Sequence, residues 1–226
     1  MKTKSEIVSA IGNQGILPLF YHDDVTVCQG IVHALYLAGV RVIEFTNRGP
    51  AAIQNFTALI QHRNTEWPGL IFGAGTIKKE ADAWAFLAAG ADFLISPAFI
   101  PSIAELALQE KFTWIPGCTT PTEIATAERY GITTIKLFPG NLLGPSFVSA
   151  IRDIFPEISF MPTGGVTQAA DNLQQWFSSG VFAVGLGSQL LSKTLLDNKN
   201  YDQIKEDTAN LLATVNAIRN PVSTKG

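Results

Sequence analysis

One arrangement of residues recurs along this chain and constrains its fold more than any other feature. The segments LAGVRVIEFT, AAGADFLIS, RYGITTIKLFP and SSGVFAVGLGS each join a helix end to a glycine and then to an apolar strand. Glycine after a helix adopts the left-handed conformation without steric cost. Strands that are apolar on both faces are typical of parallel sheets covered by helices. The pattern therefore predicts an α/β fold.

Eight apolar strand segments can be counted: ILPLF, RVIEFT, LIFGAG, DFLIS, TWIP, TTIKLFP, SFMPT and VFAVG. They start about 20 to 29 residues apart, which is the size of a strand-plus-helix unit. Pro50, Pro101, Pro121 and Pro145 stand where helices are expected to begin. We predict one domain over residues 1–226, a (β/α)8 TIM barrel whose bottom is covered by a helix at roughly 4–12. An open doubly wound sheet is the alternative.

Composition excludes several classes of protein. A net charge of −3 provides no basic field for nucleic acid. The N-terminal segment has no continuous apolar run of the kind found in a signal peptide, and no stretch approaches the length of a membrane helix. Cys28 and Cys118 form no CxxC motif, which is typical of a protein from a reducing compartment. We therefore expect a cytoplasmic protein with neither a nucleic acid nor a membrane as its partner.

Two charged residues interrupt strands that are otherwise apolar. With a period of two, Ile135 and Leu137 face the helices and Lys136 faces the barrel interior; the same rule turns Glu44 inward. Both lie near the carboxyl ends of their strands, where barrel active sites form. A desolvated lysine is a candidate Schiff-base nucleophile, and Glu44 is a candidate proton donor and acceptor. The alternative is a buried structural ion pair.

Glycine-rich segments, FMPTGGVTQ and AVGLGSQL, close the last two strands. In many barrels these two loops hold a phosphate, because backbone N–H groups can approach an anion where side chains are absent. The candidate phosphate residues are Thr163, Gly164, Gly165, Gly185, Gly187 and Ser188. The alternative is that the glycines only form tight turns.

Arg48 and Thr76 follow strands two and three. A guanidinium binds a planar carboxylate with two hydrogen bonds, so Arg48 is a candidate for the carboxylate of a 2-keto acid, although a solvated loop arginine is equally compatible. Thr76 is expected at the barrel mouth. His22, His33 and His62 are scattered and predict no metal site, and His22 is interpreted as a loop residue. Cys118 is expected to be a packing residue.

These segments together resemble a known family. RVIEFTNRG, FGAGT, LISPAF, IPGCTTPTE, IKLFPGNLLGPSFV, MPTGGV and AVGLGSQL are similar, in order and through about residues 5 to 215, to the 2-keto-3-deoxy-6-phosphogluconate (KDPG) and 4-hydroxy-2-oxoglutarate aldolases. The string from Lys136 to Phe147 and the PTGG motif carry most of the specificity.

The resemblance implies a class I aldolase that needs no metal or other cofactor, acts on a phosphorylated 2-keto sugar acid and assembles as a homotrimer. Lys136 matches the Schiff-base position and Glu44 the general acid/base position. The pyruvate end would be held by Arg48, Thr76, Pro97 and Phe138, and the phosphate end by Thr163, Gly164, Gly165, Gly185 and Ser188. The implied products are pyruvate and glyceraldehyde 3-phosphate.

One departure concerns the end of strand one. Many relatives carry an arginine there, whereas this chain reads LPLF, which assigns Phe20 to that position and leaves His22 as a possible substitute. Within this family resemblance, the threonine before Gly-Gly, Thr163, indicates a preference for the gluconate epimer of the substrate over the galactonate epimer. Two rival functions on the same barrel are a phosphosugar isomerase or synthase and a non-catalytic phosphosugar-binding protein.

Overall fold

The computed structural model describes residues 2–221, and in them helices and strands alternate almost throughout. The chain runs through α1 (Lys4–Gln14), β1 (Ile16–Phe20), α2 (Val25–Leu37), β2 (Val42–Thr46), α3 (Ala52–Glu66), β3 (Ile71–Gly75), α4 (Glu80–Ala88), β4 (Phe93–Ile95), α5 (Pro101–Glu110), β5 (Thr113–Ile115), β6 (Gly117–Cys118), α6 (Pro121–Arg129), β7 (Thr134–Leu137), α7 (Gly140–Ile151), β8 (Ser159–Pro162), α8 (Ala170–Ser178), β9 (Val184–Leu186), α9 (Lys193–Asp197) and α10 (Tyr201–Arg219). The α/β class expected from the sequence is therefore present.

All strand pairs are parallel, and they form two sheets. The first has the order β5-β4-β3-β2-β1-β9 and the second the order β6-β7-β8. A parallel bridge between Thr163 and Gly185 links the end of β8 to β9. Between β5 and β6, the Pro116 carbonyl accepts a hydrogen bond of 2.9 Å from the Lys136 backbone N–H. The two sheets are thus adjacent at both of their borders.

Apolar side chains divide into two clusters on opposite faces of the strands. Ile43, Phe45, Ile135 and Leu137 belong to the large cluster that includes the buried faces of the helices. The smaller cluster lies on the other face and consists of Ile7, Ile11, Leu17, Val42, Ile71, Phe93, Ile95, Ile115, Met161 and Ala183. This division matches the predicted alternation, in which neighbours along a strand face opposite ways.

The predicted N-terminal helix is present as α1, and a capping box starts it. The Thr3 side chain accepts a hydrogen bond from the Glu6 backbone, and the Glu6 carboxylate accepts one from the Thr3 backbone. Ile7 and Ile11 are fully buried in the smaller cluster. At the end of α1, the Gln14 amide donates to the carbonyls of Ile16 and Val42, which ties the helix to the starts of β1 and β2.

Several element boundaries differ from the sequence-based prediction. The predicted fifth strand, TWIP, ends at Ile115 as β5, and an additional short strand, β6, follows Pro116, which has no N–H to donate to a ladder. The last strand starts at Val184 instead of residue 181. Pro145 lies inside α7, where Gly144 has a φ of 71° and interrupts the helical backbone, so this proline begins the second part of a divided helix.

Candidate active site

Lys136 and Glu44 meet in the interior, although they lie on strands that are not neighbours. Lys136 Nζ is 3.5 Å from Glu44 Oε1, and the two side chains are only 6% and 1% exposed. Lys136 pairs in register with Gly117 and Met161 on the adjacent strands, whereas Glu44 pairs with Leu19 and Gly73. The buried lysine and carboxylate therefore approach each other across the interior, as their inward positions predict.

The second oxygen of Glu44 has no partner among the described residues. Glu44 Oε2 is buried and accepts no hydrogen bond. A buried carboxylate oxygen without a donor is costly unless water or a ligand supplies one. The arrangement thus leaves one oxygen of the carboxylate that contacts Lys136 free to accept a hydrogen bond.

Gly75 makes room for the Glu44 carboxylate. A Cβ atom built on Gly75 would overlap the Glu44 carboxylate, so any side chain at this position of β3 would displace it. Within the FGAGT segment, Gly75 therefore helps to place the Glu44 carboxylate because it has no side chain. This role was not predicted from the sequence. The signal was the second glycine of a strand otherwise built of large apolar residues, because strand glycines often mark a close approach.

Thr76 follows Gly75 in a strained backbone conformation. Its φ is 62°, which β-branched residues rarely adopt. The hydrogen bonds on either side hold the turn, because the Asn47 N–H donates to the Gly75 carbonyl at 2.8 Å and the Ile77 N–H to the Ile95 carbonyl at 3.1 Å. Such strain persists where surrounding contacts enforce it and is concentrated at functional sites.

Phe138 lies close to the lysine, and Pro97 lies beside Gly117 on the strand that pairs with it. Lys136 Nζ is 5.5 Å from the centre of the Phe138 ring, within the range of a cation–π contact. The Thr119 hydroxyl donates to the Phe138 carbonyl at 2.7 Å and fixes the backbone there. Gly117, which pairs with Lys136, lies so close to the Pro97 carbonyl that a Cβ would overlap it.

A cavity of about 220 Å³ collects most of the remaining predicted residues. Its lining contains Leu19, Arg48, Phe138, Thr163, Gly164, Gly165, Val166, Gly185, Gly187, Ser188 and Gln189. The predicted residues Lys136, Glu44, Thr76 and Pro97 do not line it. Leu19, Val166 and Gln189 are additions that the sequence analysis missed, because an apolar or amide side chain beside glycines has no distinctive pattern.

The glycines of this cavity allow close packing around it. Gly164 and Gly165 have φ values of 89° and 73°, and a Cβ on Gly185 would overlap the Thr163 hydroxyl. Thr163 Oγ1 is buried and has no hydrogen-bond partner among the described residues. A hydroxyl without a partner is a group that can donate a hydrogen bond to an anion.

Arg48 lies at the cavity rather than beside Lys136. It is exposed, and within residues 2–221 no carboxylate pairs with its guanidinium. The sequence analysis assigned Arg48 to the keto-acid end, whereas the lining of the cavity groups it with Phe138 and the phosphate candidates. Its charge is available to an anion at either end of a substrate that spans the two.

Phe20 lies away from the cavity, whereas His22 lies on the loop where the sequence predicts it. Phe20 is 4% exposed and packs edge-on against Phe45, with ring centres 5.4 Å apart, on the face towards the helices. Leu19, not Phe20, faces the cavity. His22 lies on the following loop, as expected, and its Nδ1 accepts from the Asp24 N–H at 3.0 Å.

Cys118 is buried at the carboxyl end of the divided strand. Burial first, and then the charge of Glu123, raises the pKa of its thiol to about 12. The described residues contain no group of three or more His, Cys, Asp or Glu side chains that could hold a metal ion. They also contain no helix with the length and apolarity needed to cross a bilayer.

Comparisons with known proteins show the family to which this chain is similar. Residues 7–206 match the model of the KDPG and KHG aldolase family. The chain is similar to the 2-dehydro-3-deoxy-phosphogluconate aldolase of Dickeya dadantii (strain 3937), at 31% identity over 90% of this chain and 92% of the relative. It is also similar to the 2-dehydro-3-deoxy-6-phosphogalactonate aldolase of Escherichia coli (strain K12), at 31% identity over 70% of this chain and 76% of the relative.

A solved structure extends the likeness to three dimensions. The KDPG aldolase of Legionella pneumophila, described with pyruvate captured as a covalent carbinolamine intermediate, matches with a TM-score of 0.82 and 26% identity over 90% of this chain and 96% of the other. Family model, curated relatives and fold agree over most of the chain. The protein therefore belongs to the KDPG and KHG aldolase family and is an enzyme, an aldehyde-lyase of the KDPG aldolase type.

Proposed function

We propose that this chain is a class I aldolase that forms a Schiff base on Lys136. Its proposed reaction cleaves KDPG to pyruvate and glyceraldehyde 3-phosphate, and 4-hydroxy-2-oxoglutarate to pyruvate and glyoxylate. The single observation that carries the proposal is the buried pair of Lys136 Nζ and Glu44 Oε1 at 3.5 Å. Imine chemistry needs an amine and a proton carrier within reach of each other, away from bulk water.

The first step joins the enzyme to the substrate. Lys136 gives a proton to Glu44, and its free amine attacks the C2 ketone to form a carbinolamine. Glu44 returns a proton to the departing hydroxyl, which leaves as water, and a protonated imine remains. The unpartnered Glu44 Oε2 supports this role, because it can hold the water or hydroxyl through which protons move.

The second step breaks the C3–C4 bond. Glu44, directly or through water, removes the proton of the C4 hydroxyl, and the C3–C4 electron pair moves into the protonated imine. The aldehyde departs and an enamine of pyruvate remains. Protonation at C3 restores the imine, and addition of one water molecule releases pyruvate and the amine of Lys136. The water lost in the first step balances the water consumed here.

Binding of the substrate is assigned to two groups of residues. Thr76, Pro97, Phe138 and Arg48 are proposed to hold the pyruvate half, and Thr163, Gly164, Gly165, Gly185 and Ser188 the phosphate. The buried hydroxyl of Thr163 and the cavity of about 220 Å³ support the phosphate end. No metal or other cofactor is proposed, since the imine itself is the electron sink.

The preferred epimer is proposed from Thr163. Relatives named for the phosphogluconate and the phosphogalactonate substrates are equally similar, at 31% identity each. We propose the gluconate type, because Thr163 stands before Gly-Gly. The test is to compare kcat/KM for the two epimers, and a preference for the galactonate substrate would overturn this choice.

Architecture, assembly and location complete the proposal. We propose that the two sheets form one closed (β/α)8 barrel whose amino-terminal end is covered by α1. The bridge between Thr163 and Gly185 and the hydrogen bond at Pro116 support this closure.

A homotrimer and a cytoplasmic location are proposed from the family resemblance. Sedimentation equilibrium tests the trimer, and a monomer at micromolar concentration would contradict it.

Borohydride trapping tests the chemistry directly. The protein is incubated with pyruvate and reduced, and its intact mass and the modified peptide are measured. We expect a lactyl adduct on Lys136 alone, with Lys4, at the other end of the molecule, as the unmodified control. A folded sample that shows no adduct would contradict the Schiff-base mechanism and favour the isomerase alternative.

A further inference from the structure

Tyr21 connects two loops at the carboxyl ends of β1 and β2. Its hydroxyl donates a short hydrogen bond to Asp23 Oδ1 in the loop before α2. Its ring packs against Phe45, with ring centres 5.8 Å apart. On its other side lies Gly49, where a Cβ would overlap the Tyr21 hydroxyl and ring, so the chain between β2 and α3 rests directly on the phenol.

The same phenol packs against the segment that leads into α3. Ala51 occupies the N-cap position of α3 and has no side chain able to cap the helix. Gly49, two residues earlier, carries no side chain that would separate the backbone from the Tyr21 ring and hydroxyl. Tyr21 thus holds the segment before α3 by direct packing.

Asp23 is held in place by a separate set of hydrogen bonds. The Asn55 side chain, 5% exposed on α3, donates to the carbonyls of His22 and Asp23 at 3.0 and 2.9 Å. Because Asn55 lies on α3 and both carbonyls lie in the loop after β1, these hydrogen bonds fix that loop against α3. Burial first, and then Asp23, raises the pKa of the Tyr21 phenol to about 12.

Arg48 belongs to the loop of residues 47–51, the Arg48 loop. Contacts with other segments hold this loop at both of its ends. At one end the Asn47 N–H donates to the Gly75 carbonyl at 2.8 Å, and the Thr46 hydroxyl donates to the Phe20 carbonyl at 3.2 Å. At the other end the packing of the Tyr21 ring and hydroxyl against Gly49 is the anchor. The exposed guanidinium itself contributes no ion pair within residues 2–221 that would hold it.

We infer that Tyr21 is a positioning residue, which holds the Arg48 loop so that the Arg48 guanidinium is preorganised for an anionic group of the substrate. This inference rests on the proposed function, because it assumes a keto acid that carries a carboxylate and, in KDPG, also a phosphate. A cation on a fixed loop loses less conformational entropy when it binds than one on a loose loop. Tyr21 contributes to substrate binding through Arg48, without touching the reacting atoms.

Tyr21→Phe tests the inference, because it removes only the hydroxyl. We expect KM for KDPG to rise about threefold to tenfold, which is the effect of one lost hydrogen bond, while kcat stays within about twofold. Asp23→Ala should raise KM in the same direction. Tyr36→Phe is the matched control, because it removes a hydroxyl that bonds the Pro68 carbonyl away from this site, and it should leave KM unchanged.

A double-mutant cycle shows whether Tyr21 acts through Arg48. In an Arg48→Ala background, Tyr21→Phe should have no further effect on KM, whereas independent effects would multiply. A rise in KM for both KDPG and 4-hydroxy-2-oxoglutarate would identify the carboxylate as the anion held, and a rise confined to KDPG would identify the phosphate. Either pattern supports the positioning role.

The failure of this inference can be distinguished from failure of the proposed function. If pyruvate still forms the borohydride adduct on Lys136 but Tyr21→Phe leaves KM unchanged, the positioning role is wrong and the aldolase mechanism stands. The positioning role would also be wrong if Tyr21→Phe raised KM by the same factor in the Arg48→Ala background as in the wild-type protein. If no adduct forms in the folded wild-type protein, the proposed function falls, and this inference falls with it.

Discussion

The two ends of the same strands differ in almost every physical respect. At the amino end, Ile7 and Ile11 of α1 are fully buried among inward-facing apolar residues such as Leu17 and Val42, and Gln14 satisfies the backbone there. At the carboxyl end lie a buried lysine and glutamate, a strained threonine and a glycine-lined cavity. The apolar packing lies at one end and the groups proposed for the chemistry lie at the other, the division expected if the two sheets form a barrel.

Buried polar atoms without hydrogen-bond partners also distinguish the two ends of the strands. Glu44 Oε2 and Thr163 Oγ1, both at or near the carboxyl end, are buried and lack hydrogen-bond partners. Thr134 at the start of β7 and Trp176 on α8 are exceptions to the division, because the Thr134 hydroxyl and the Trp176 indole N–H are also buried without partners among the described residues. Groups that would be costly in a purely structural core are tolerated where a substrate or water can complete them.

The largest effect should come from removing the amine at the carboxyl end. Lys136→Ala should lower kcat by at least about 10⁴-fold in a KDPG cleavage assay, because no covalent intermediate can form. It should also reduce the free energy of unfolding by about 3–5 kcal/mol, since Glu44 is left buried without its partner. Lys136→Arg, which keeps a cation but is not a nucleophile, should be equally inactive, and turnover in either variant would remove Lys136 from its proposed role.

A smaller loss is expected at the partner carboxylate. Glu44→Gln keeps the size of the side chain but cannot carry protons, so kcat should fall by about 10²- to 10⁴-fold with a much smaller change in KM. Steady-state kinetics measure both quantities. A variant in which KM rises while kcat is unchanged would show that Glu44 only binds substrate.

A substitution at the amino end of the strands should reduce stability and leave activity unchanged. Ile11→Ala removes a fully buried side chain and should reduce the free energy of unfolding by about 2–5 kcal/mol in urea titration. Under conditions where the variant is folded, its kcat should equal that of the wild type. A large fall in kcat in a fully folded Ile11→Ala protein would break the division between the two ends.

The smallest effect concerns Cys118, which lies near the proposed active site and has no role in the proposed mechanism. Because burial raises the pKa of its thiol to about 12, only about one molecule in ten thousand carries the thiolate at pH 8. Iodoacetamide at pH 8 should therefore leave activity unchanged and modify the native protein only slowly. Rapid inactivation that is prevented by Cys118→Ala would show that this cysteine belongs to the chemistry.

The sequence by itself determined the class of fold and the candidate groups. Repeated glycines after helices and doubly apolar strands indicate parallel β/α units, because backbone conformation and burial act locally. The period-two rule turned Lys136 and Glu44 to the same face, and the structure has them there. The glycines of the last two strand ends were also identified from local composition.

Only the tertiary structure decided which of these residues meet, because contacts between distant strands depend on strand order and packing. Nothing local indicates that Lys136 lies 3.5 Å from Glu44, that Gly75 makes room for that carboxylate, or that Arg48 lines the cavity with Thr163. Phe20 shows the same limit, because its ring packs on the helix side. Tyr21 was not recognised at all, since its role exists only where two separate loops touch.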